Sequence, residues 1–322
     1  MSIEAPREAP PSKADVVVVA GPTAAGKTAL AIELAERFGG EIVNADSQQV
    51  YRFMDVGTAK PSAEERARVP HHVIDVVTPD IQYHAARFEA DARSAASRIR
   101  ARGKRIFLVG GTGLYVRAFL DGLSAAVPRN PALREELEAF DQEHRAAGDA
   151  NALHERLAKV DPASAKRLHP NDRIRLIRAI EVFESTGRPA SEQSRQEGEP
   201  RERALHLAID PGREELIARI DRRCEAMLEG GLLQEARELR ERGYGPELPS
   251  MRAIGYRHMQ PVIEGREILA NVLQAMKHDT RQFARRQRTW LRGVAGVRCF
   301  HPDSRSEITQ SVAEWLEADI QV

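Results

Sequence analysis

The sequence predicts an α/β fold, a parallel sheet flanked by helices and interrupted by a helical insertion. Three observations carry this. A glycine-rich octapeptide, Gly21-Pro22-Thr23-Ala24-Ala25-Gly26-Lys27-Thr28, stands between an apolar run and a helical pattern. Short apolar runs suited to buried strands recur at 15–20, 41–45, 73–77, 105–109 and 204–209. From Leu133 to Ser185 no convincing strand appears and charged helical patterns follow one another, which suggests a helical insertion at about 125 to 202.

Residues 15–20 read as a buried strand, and Ala31, Leu34, Ala35 and Phe38 recur at helical spacing before Gly39 and Gly40 supply a stop. The octapeptide between them fits G-x-x-x-x-G-K-[ST], the P-loop. Its backbone N–H groups and the following helix N-terminus suit a phosphate, Lys27 can reach a terminal phosphate, and Thr28 can hold Mg²⁺. Residues 41–45 read as a second strand, ending in Asp46-Ser47-Gln48-Gln49-Val50-Tyr51. Residues just past strand ends face the ligand crevice of an open parallel sheet, so Asp46 is expected near the loop. Its spacing to Gln49 also fits a helix-capping box; the neighbouring phosphate loop favours a catalytic carboxylate.

The stretch Arg52 to Pro61 reads as a loop, Val73 to Val77 as a strand, and Ala85 to Ala101 as a helix. Adjacent His71 and His72 would point to opposite faces of an extended chain, which argues against a shared metal. Residues 105–109 form a strand candidate ending in Gly110-Gly111-Thr112-Gly113-Leu114-Tyr115. Kinases and nucleotide hydrolases with this loop commonly place a Mg²⁺-supporting Asp at such a strand end. Here glycines let another chain or a ligand approach closely.

Pro128 to Pro131 mark a boundary; Ala152 to Val160 and Asp172 to Phe183 read as helices of the insertion; Ala204 to Ile209 resumes the sheet; and a long helix follows Asp210-Pro211. The expected organisation is a loose tail at 1–13, a core of 14–124 with 203–322, and an insertion at 125–202. Near the end Arg281, Arg285, Arg288 and Arg292 share one helical stripe with no acidic residue between them. Such a stripe suggests phosphate or nucleic-acid contact, the alternative being pairing with acidic helices elsewhere. Residues 308–322 suggest a terminal amphipathic helix.

The 322 residues carry 48 Lys+Arg against 48 Asp+Glu, which excludes a protein basic throughout and leaves local basic surfaces open. Cys224 and Cys299 are the two cysteines and form no metal-ligand spacing or disulfide framework, so a reduced, cytoplasmic setting is expected. No apolar run is long enough to span a membrane, and the tail has no apolar signal-peptide core.

Together, several blocks resemble the tRNA dimethylallyltransferases, also called tRNA isopentenyltransferases. They are Gly21 to Thr28, Asp46 to Arg52, Met54 to Pro61, Pro70 to Asp75, Gly110 to Tyr115, His169 to Asp172 with Arg175 and Arg178, Arg252 to Arg257, and Arg286 to Arg292. The resemblance implies dimethylallyl diphosphate as donor and N6 of adenosine 37 beside the tRNA anticodon as acceptor; Mg²⁺ is expected from the loop at Thr28, and a monomer because nothing in the sequence demands a partner subunit. It implies that Thr23 bonds the leaving oxygen, Asp46 removes the amine proton, and Arg223 clamps the diphosphate opposite the loop. It places RNA contact at Asp46, Ser47, Gln48, Gln49, Thr112, Arg134 and Ile174, Arg175, Leu176, Ile177 and Arg178. Further contacts are implied at Arg252, Ala253, Ile254, Gly255, Tyr256 and Arg257, and at Arg285, Arg286, Gln287, Arg288, Thr289, Trp290, Leu291 and Arg292.

The sequence departs from the family pattern at Ile174, where Gln is common, and at Phe53, where Gly is usual. A kinase or ATPase is the main rival, opposed by Gly110 and the arginine stripe. A prenyltransferase acting on free adenine nucleotides shares the donor half-site, and a non-catalytic RNA-binding protein would not need Lys27, Thr28 and Asp46 together.

Overall fold

A computed structural model describes residues 16–123, 130–193 and 202–318. The expected tail at 1–13, most of both insertion boundaries and the last residues of the chain lie outside these. Six parallel strands form one sheet in the order β3-β2-β4-β1-β5-β6. They are β1 (Val16–Ala20), β2 (Gly40–Asn44), β3 (His71–His72), β4 (Arg105–Gly110), β5 (Ala204–Ile209) and β6 (Arg298–Phe300). The central position of β1 explains its composition. Val16 to Val19 are fully buried, as expected of a strand covered on both faces.

Helix α1 (Lys27–Phe38) buries Leu30, Ala31, Leu34 and Ala35 and leaves Glu33 and Glu36 outside. Each fully buried leucine of this kind contributes about 1.5–3 kcal/mol, and each alanine less. The helix ends where Gly39 adopts φ 65° and its N–H bonds the Ala35 carbonyl. Downstream come α2 (Ala63–Arg68), α3 (Ala85–Arg100) and α4 (Gly113–Leu120).

The expected strand at 73–77 does not form. Val73 and Asp75 stand at φ 60° and 55°, which breaks an extended run, and pairing to β2 stops at His72. Asp75 is instead held by Lys60 at 2.6 Å and Arg66 at 2.8 Å, so long-range ion pairs override the local apolar pattern. Val77 keeps one isolated bridge, to Tyr51.

The contacts divide the chain into two compact units, Met1–Leu120 with Arg201–Val322, and Asp121–Pro200. The second is helical in its described residues: α5 (Pro131–Ala146), α6 (Ala152–Val160), α7 (Pro162–Arg167), α8 (Arg173–Thr186) and α9 (Ala190–Gln193). Its core gathers Leu137, Leu153, Leu157, Leu176 and Ile180. Local signals start its helices. Asn130 and Asp161 cap α5 and α7 through side-chain bonds to Leu133 N–H and Ser164 N–H, each followed by proline at the first helical position.

After β5 the first unit adds α10 (Arg213–Glu229), α11 (Leu232–Glu241), a short 3₁₀ turn at Ser250–Arg252, α12 (Tyr256–Ile263), α13 (Leu269–Arg292) and α14 (Arg305–Glu317). Among the described residues no helix is long and apolar enough to cross a membrane.

Candidate active site

The octapeptide leaves the C-terminal end of β1 and turns into α1, with Ala24 at φ 65° and Gly26 at φ 90°. Not every amide points outward. Ala25 N–H donates to the Pro22 carbonyl at 3.3 Å, and Thr23 N–H donates to Gln287 Oε1 at 2.9 Å. Thr23, Lys27 and Thr28 line a cavity of about 290 Å³ together with Asp46, Arg223 and Arg286. The Lys27 ammonium donates to the Pro22 carbonyl at 2.8 Å. Burial, and then the neighbouring Arg223 guanidinium, push its pKa down to about 8, while Asp46 pulls the other way.

Asp46 is placed by the end of β2. Ala45 N–H bonds the Val109 carbonyl at 2.7 Å, and the Ala45 carbonyl accepts Thr112 N–H at 3.2 Å. A Cβ on Gly110 would stand 2.1 Å from that Ala45 oxygen, so the glycine is required by the chain that carries Asp46. The close approach foreseen at Gly110 is thus made by protein backbone.

The capping-box reading of Asp46 and Gln49 is corrected. Residues 47–50 form turns rather than a helix. Asp46 Oδ1 accepts Gln48 N–H at 2.8 Å and Gln49 N–H at 3.3 Å, while Gln49 Nε2 reaches the Thr58 and Ala59 carbonyls at 3.1 Å each. Among the described residues Oδ2 carries no hydrogen bond. Thr112 Oγ1 accepts Ser47 N–H at 3.0 Å, fixing the turn from the other side.

Arg223 lies on α10, and its Nη2 approaches the Thr58 carbonyl at 3.5 Å. Burial lowers its pKa from the ordinary guanidinium value, and the Asp46 charge opposes that shift. Two half-buried cations therefore flank one carboxylate, with no ion pair within 4 Å between Asp46 and either of them. An anion entering the cavity would meet positive charge already partly stripped of water.

The implied RNA-contact residues fall into four groups. Asp46, Ser47, Gln48, Gln49, Thr112, Arg252, Ala253, Ile254, Arg257, Arg286 and Gln287 line the cavity. Arg285, Arg288, Thr289 and Arg292 line a second cavity of about 550 Å³, with Arg281 and, from α10, Arg213. Part of the arginine stripe is paired, the alternative allowed for it. Arg281 binds Asp221, and Arg288 binds Asp210 at 2.7 Å, so the missing negative charges come from other segments. Among the described residues Arg285 and Arg292 carry no ion pair.

The third group is buried. Tyr256 is inaccessible, and its hydroxyl donates to Glu235 Oε1 at 2.6 Å; Leu176, Ile177 and Leu291 are also buried. Their side chains pack within their own unit. Gly255 is likewise buried, and Trp290 packs its indole on Gly113. In the helical unit Ile174 is 77% exposed, Arg175 is exposed, and Arg134 and Arg178 bind Glu181.

Two residues central to this architecture gave no local signal. Glu235 gathers the N–H groups of Asp55, Val56 and Gly57 at 2.8–3.1 Å and so holds the segment whose Thr58 carbonyl meets Arg223. Gln287 joins two loops across 264 and 176 positions. Phe53 stands at φ 68°, in the left-handed region, which accounts for the glycine usual at this position.

A phosphate loop on the central strand, two half-buried cations and an adjacent carboxylate define a P-loop-type enzyme built for an anionic group. Comparison with known proteins identifies the branch. Residues 49–294 match the family described as IPP transferase, and residues 14–73 match isopentenyl transferase. A tRNA dimethylallyltransferase of Anaeromyxobacter dehalogenans is 52% identical over 285 residues, covering 88% of this chain and 93% of that protein. The crystal structure of a tRNA isopentenylpyrophosphate transferase from Bacillus halodurans has a TM-score of 0.70 at 37% identity, covering 95% of this chain and 98% of that one. A eukaryotic dimethylallyltransferase acting on tRNA has a TM-score of 0.77 at 30% identity, over 93% of this chain and 77% of its own.

The chain belongs to the IPP transferase family, whose members are tRNA dimethylallyltransferases. It is a prenyl-transferring enzyme of tRNA modification.

Proposed function

We propose that the protein transfers the dimethylallyl group from dimethylallyl diphosphate to N6 of adenosine 37, beside the anticodon of tRNA. The observation that carries this is the shared cavity of Thr23, Lys27, Thr28, Asp46 and Arg223. The adenine N6 lone pair forms a bond to C1 of the dimethylallyl group as the C1–O bond breaks, and that electron pair leaves with the diphosphate. The N6 proton passes to the Asp46 carboxylate, which general-base chemistry requires because an aromatic amine is a poor nucleophile. Lys27 and Arg223 stabilise the charge gathering on the leaving group, and the Thr23 hydroxyl donates to its departing oxygen.

The cavity suits a hard cation with few protein ligands, since its oxygen donors beside the loop include the Thr28 hydroxyl and the Asp46 carboxylate. Bound there by Thr28 and diphosphate oxygens, Mg²⁺ would supply Lewis-acid neutralisation of the leaving group. Among the described residues no cluster of three His, Cys, Asp or Glu offers a separate metal site.

The helical unit at 125–202 and the arginines near residues 252–257 and 285–292 serve as the grip on the anticodon stem-loop. The tRNA substrate and two free cysteines support action in the cytoplasm, and a complete site within one chain supports a monomer. Labelled dimethylallyl diphosphate incubated with unmodified tRNA tests the reading. Label transferred to an adenosine beside the anticodon is expected; ATP turnover without transfer, or preference for free AMP over an anticodon stem-loop, would overturn it.

A further inference from the structure

Gln287 was counted among the RNA contacts, but the structure gives its side chain another task. It lies on α13, is 7% exposed, and reaches the donor loop and the turn after β4 at once. Oε1 accepts Thr23 N–H at 2.9 Å, and Nε2 donates to the Gly111 carbonyl at 2.9 Å. One orientation of the amide satisfies both partners; the reverse would set oxygen against oxygen and nitrogen against N–H. Glutamate could not donate to Gly111, and a shorter side chain would leave two half-buried backbone groups unpaired.

The neighbours of Gln287 show that the fit is tight. A Cβ on Gly111 would stand 2.1 Å from Nε2 and 3.3 Å from Cδ of Gln287. One residue further along α13, Arg288 binds Asp210, just beyond β5. The same helical turn thus fastens to the loops that follow β1, β4 and β5. Thr23 is the residue expected to meet the departing oxygen, and its peptide has no freedom to drift while Gln287 holds it.

Resting on the transfer reaction proposed above, we propose that Gln287 is a positioning residue for that step, acting through Thr23 by locking its peptide against the Gly110–Gly113 turn. The Thr23 hydroxyl is thereby aimed before the donor arrives, and misplacement of about 1 Å at such a group can cost on the order of 10²-fold in rate.

The test is a double-mutant cycle with Gln287→Met, which keeps the length and loses both hydrogen bonds, and Thr23→Ala. Q287M should lower kcat at least tenfold while KM for an anticodon stem-loop stays within twofold. In the T23A background it should add less than twofold. In the free protein, exchange of the Thr23 amide proton should rise at least tenfold in Q287M, a measurement that needs no substrate. Additive losses, an unchanged kcat, a loss confined to KM for RNA, or unchanged exchange would each overturn the proposal. Should Q287M fail to fold, Gly111→Ala displaces the same amide and carries the same comparisons. A wild-type protein that transfers nothing would overturn the proposed reaction, and the exchange measurement would still decide whether the brace exists.

Discussion

Charge drawn away from solvent, fully at Glu181 and partly at Lys27 and Arg223, is handled in opposite ways in the two units. In the helical unit Glu181 is fully buried and fully answered: Asn130 N–H, Arg134 and Arg178 all bond its carboxylate. Burial alone would raise its pKa, yet these bonds bring it down to about 2. In the sheet unit Lys27 and Arg223 share a cavity without an ion pair to Asp46, and burial lowers both pKa values. A satisfied buried charge marks architecture. A pair of cations left short of an anion marks a place for one.

The largest effect that would break this contrast is at Asp46. Replacement by Ala should retain RNA binding and reduce turnover by roughly 10²- to 10⁴-fold, about 3–5 kcal/mol of barrier. Near-normal single-turnover rates would remove it as the base.

Glu181→Ala should destabilise the helical unit by about 3 kcal/mol, measured by denaturant unfolding, because it leaves two arginines and an N–H without their acceptor. The low end of the usual range is expected since Arg134 and Arg178 remain 22% and 37% exposed. The folded-state pKa of Glu181 lies below the ordinary 4.5, so its contribution is complete above that pH and lost as pH falls towards about 2. Unfolding midpoints followed between these limits should converge for wild type and E181A.

Lys27 acts in the same pH sense, in a higher window. Because its folded-state pKa is about 8 against 10.5, the folded protein releases this proton first, and folding stability gains as pH rises between the two. Anion affinity changes the other way. Pyrophosphate binding by calorimetry should weaken towards tenfold per pH unit above about 8, and Lys27→Met should remove that dependence. The smallest effect is at the arginine stripe. Arg285→Gln should lower the slope of log RNA affinity against log salt by roughly 0.7–0.9, whereas Arg288→Gln, already committed to Asp210, should change it less.

The parts of the fold written in local pattern were legible before the structure. Ala204 to Ile209 and Ala152 to Val160 read as a strand and a helix and are these elements, since each turns on spacing within a few residues. Residues 73–77 misled because Val-Ile-Asp-Val-Val resembles a strand locally, while distant Lys60 and Arg66 hold Asp75 in a left-handed turn. The phosphate loop and Asp46 were legible for the same local reason. Glu235 and Gln287 were not, because each binds residues 176 to 264 positions away and nothing in their own neighbourhoods announces it.

The strand order has a consequence for how the protein is made. Strand β1 pairs with β4 on one side and β5 on the other, and Val16 meets Ala204 only after roughly 190 further residues have been synthesised. At about 5–20 residues per second that leaves one edge of the central strand open for on the order of 10–40 s. The helical unit, whose contacts are local, emerges wholly within this interval. A nascent chain that has not yet made β5 therefore keeps the valine strand that carries the phosphate loop exposed along one edge.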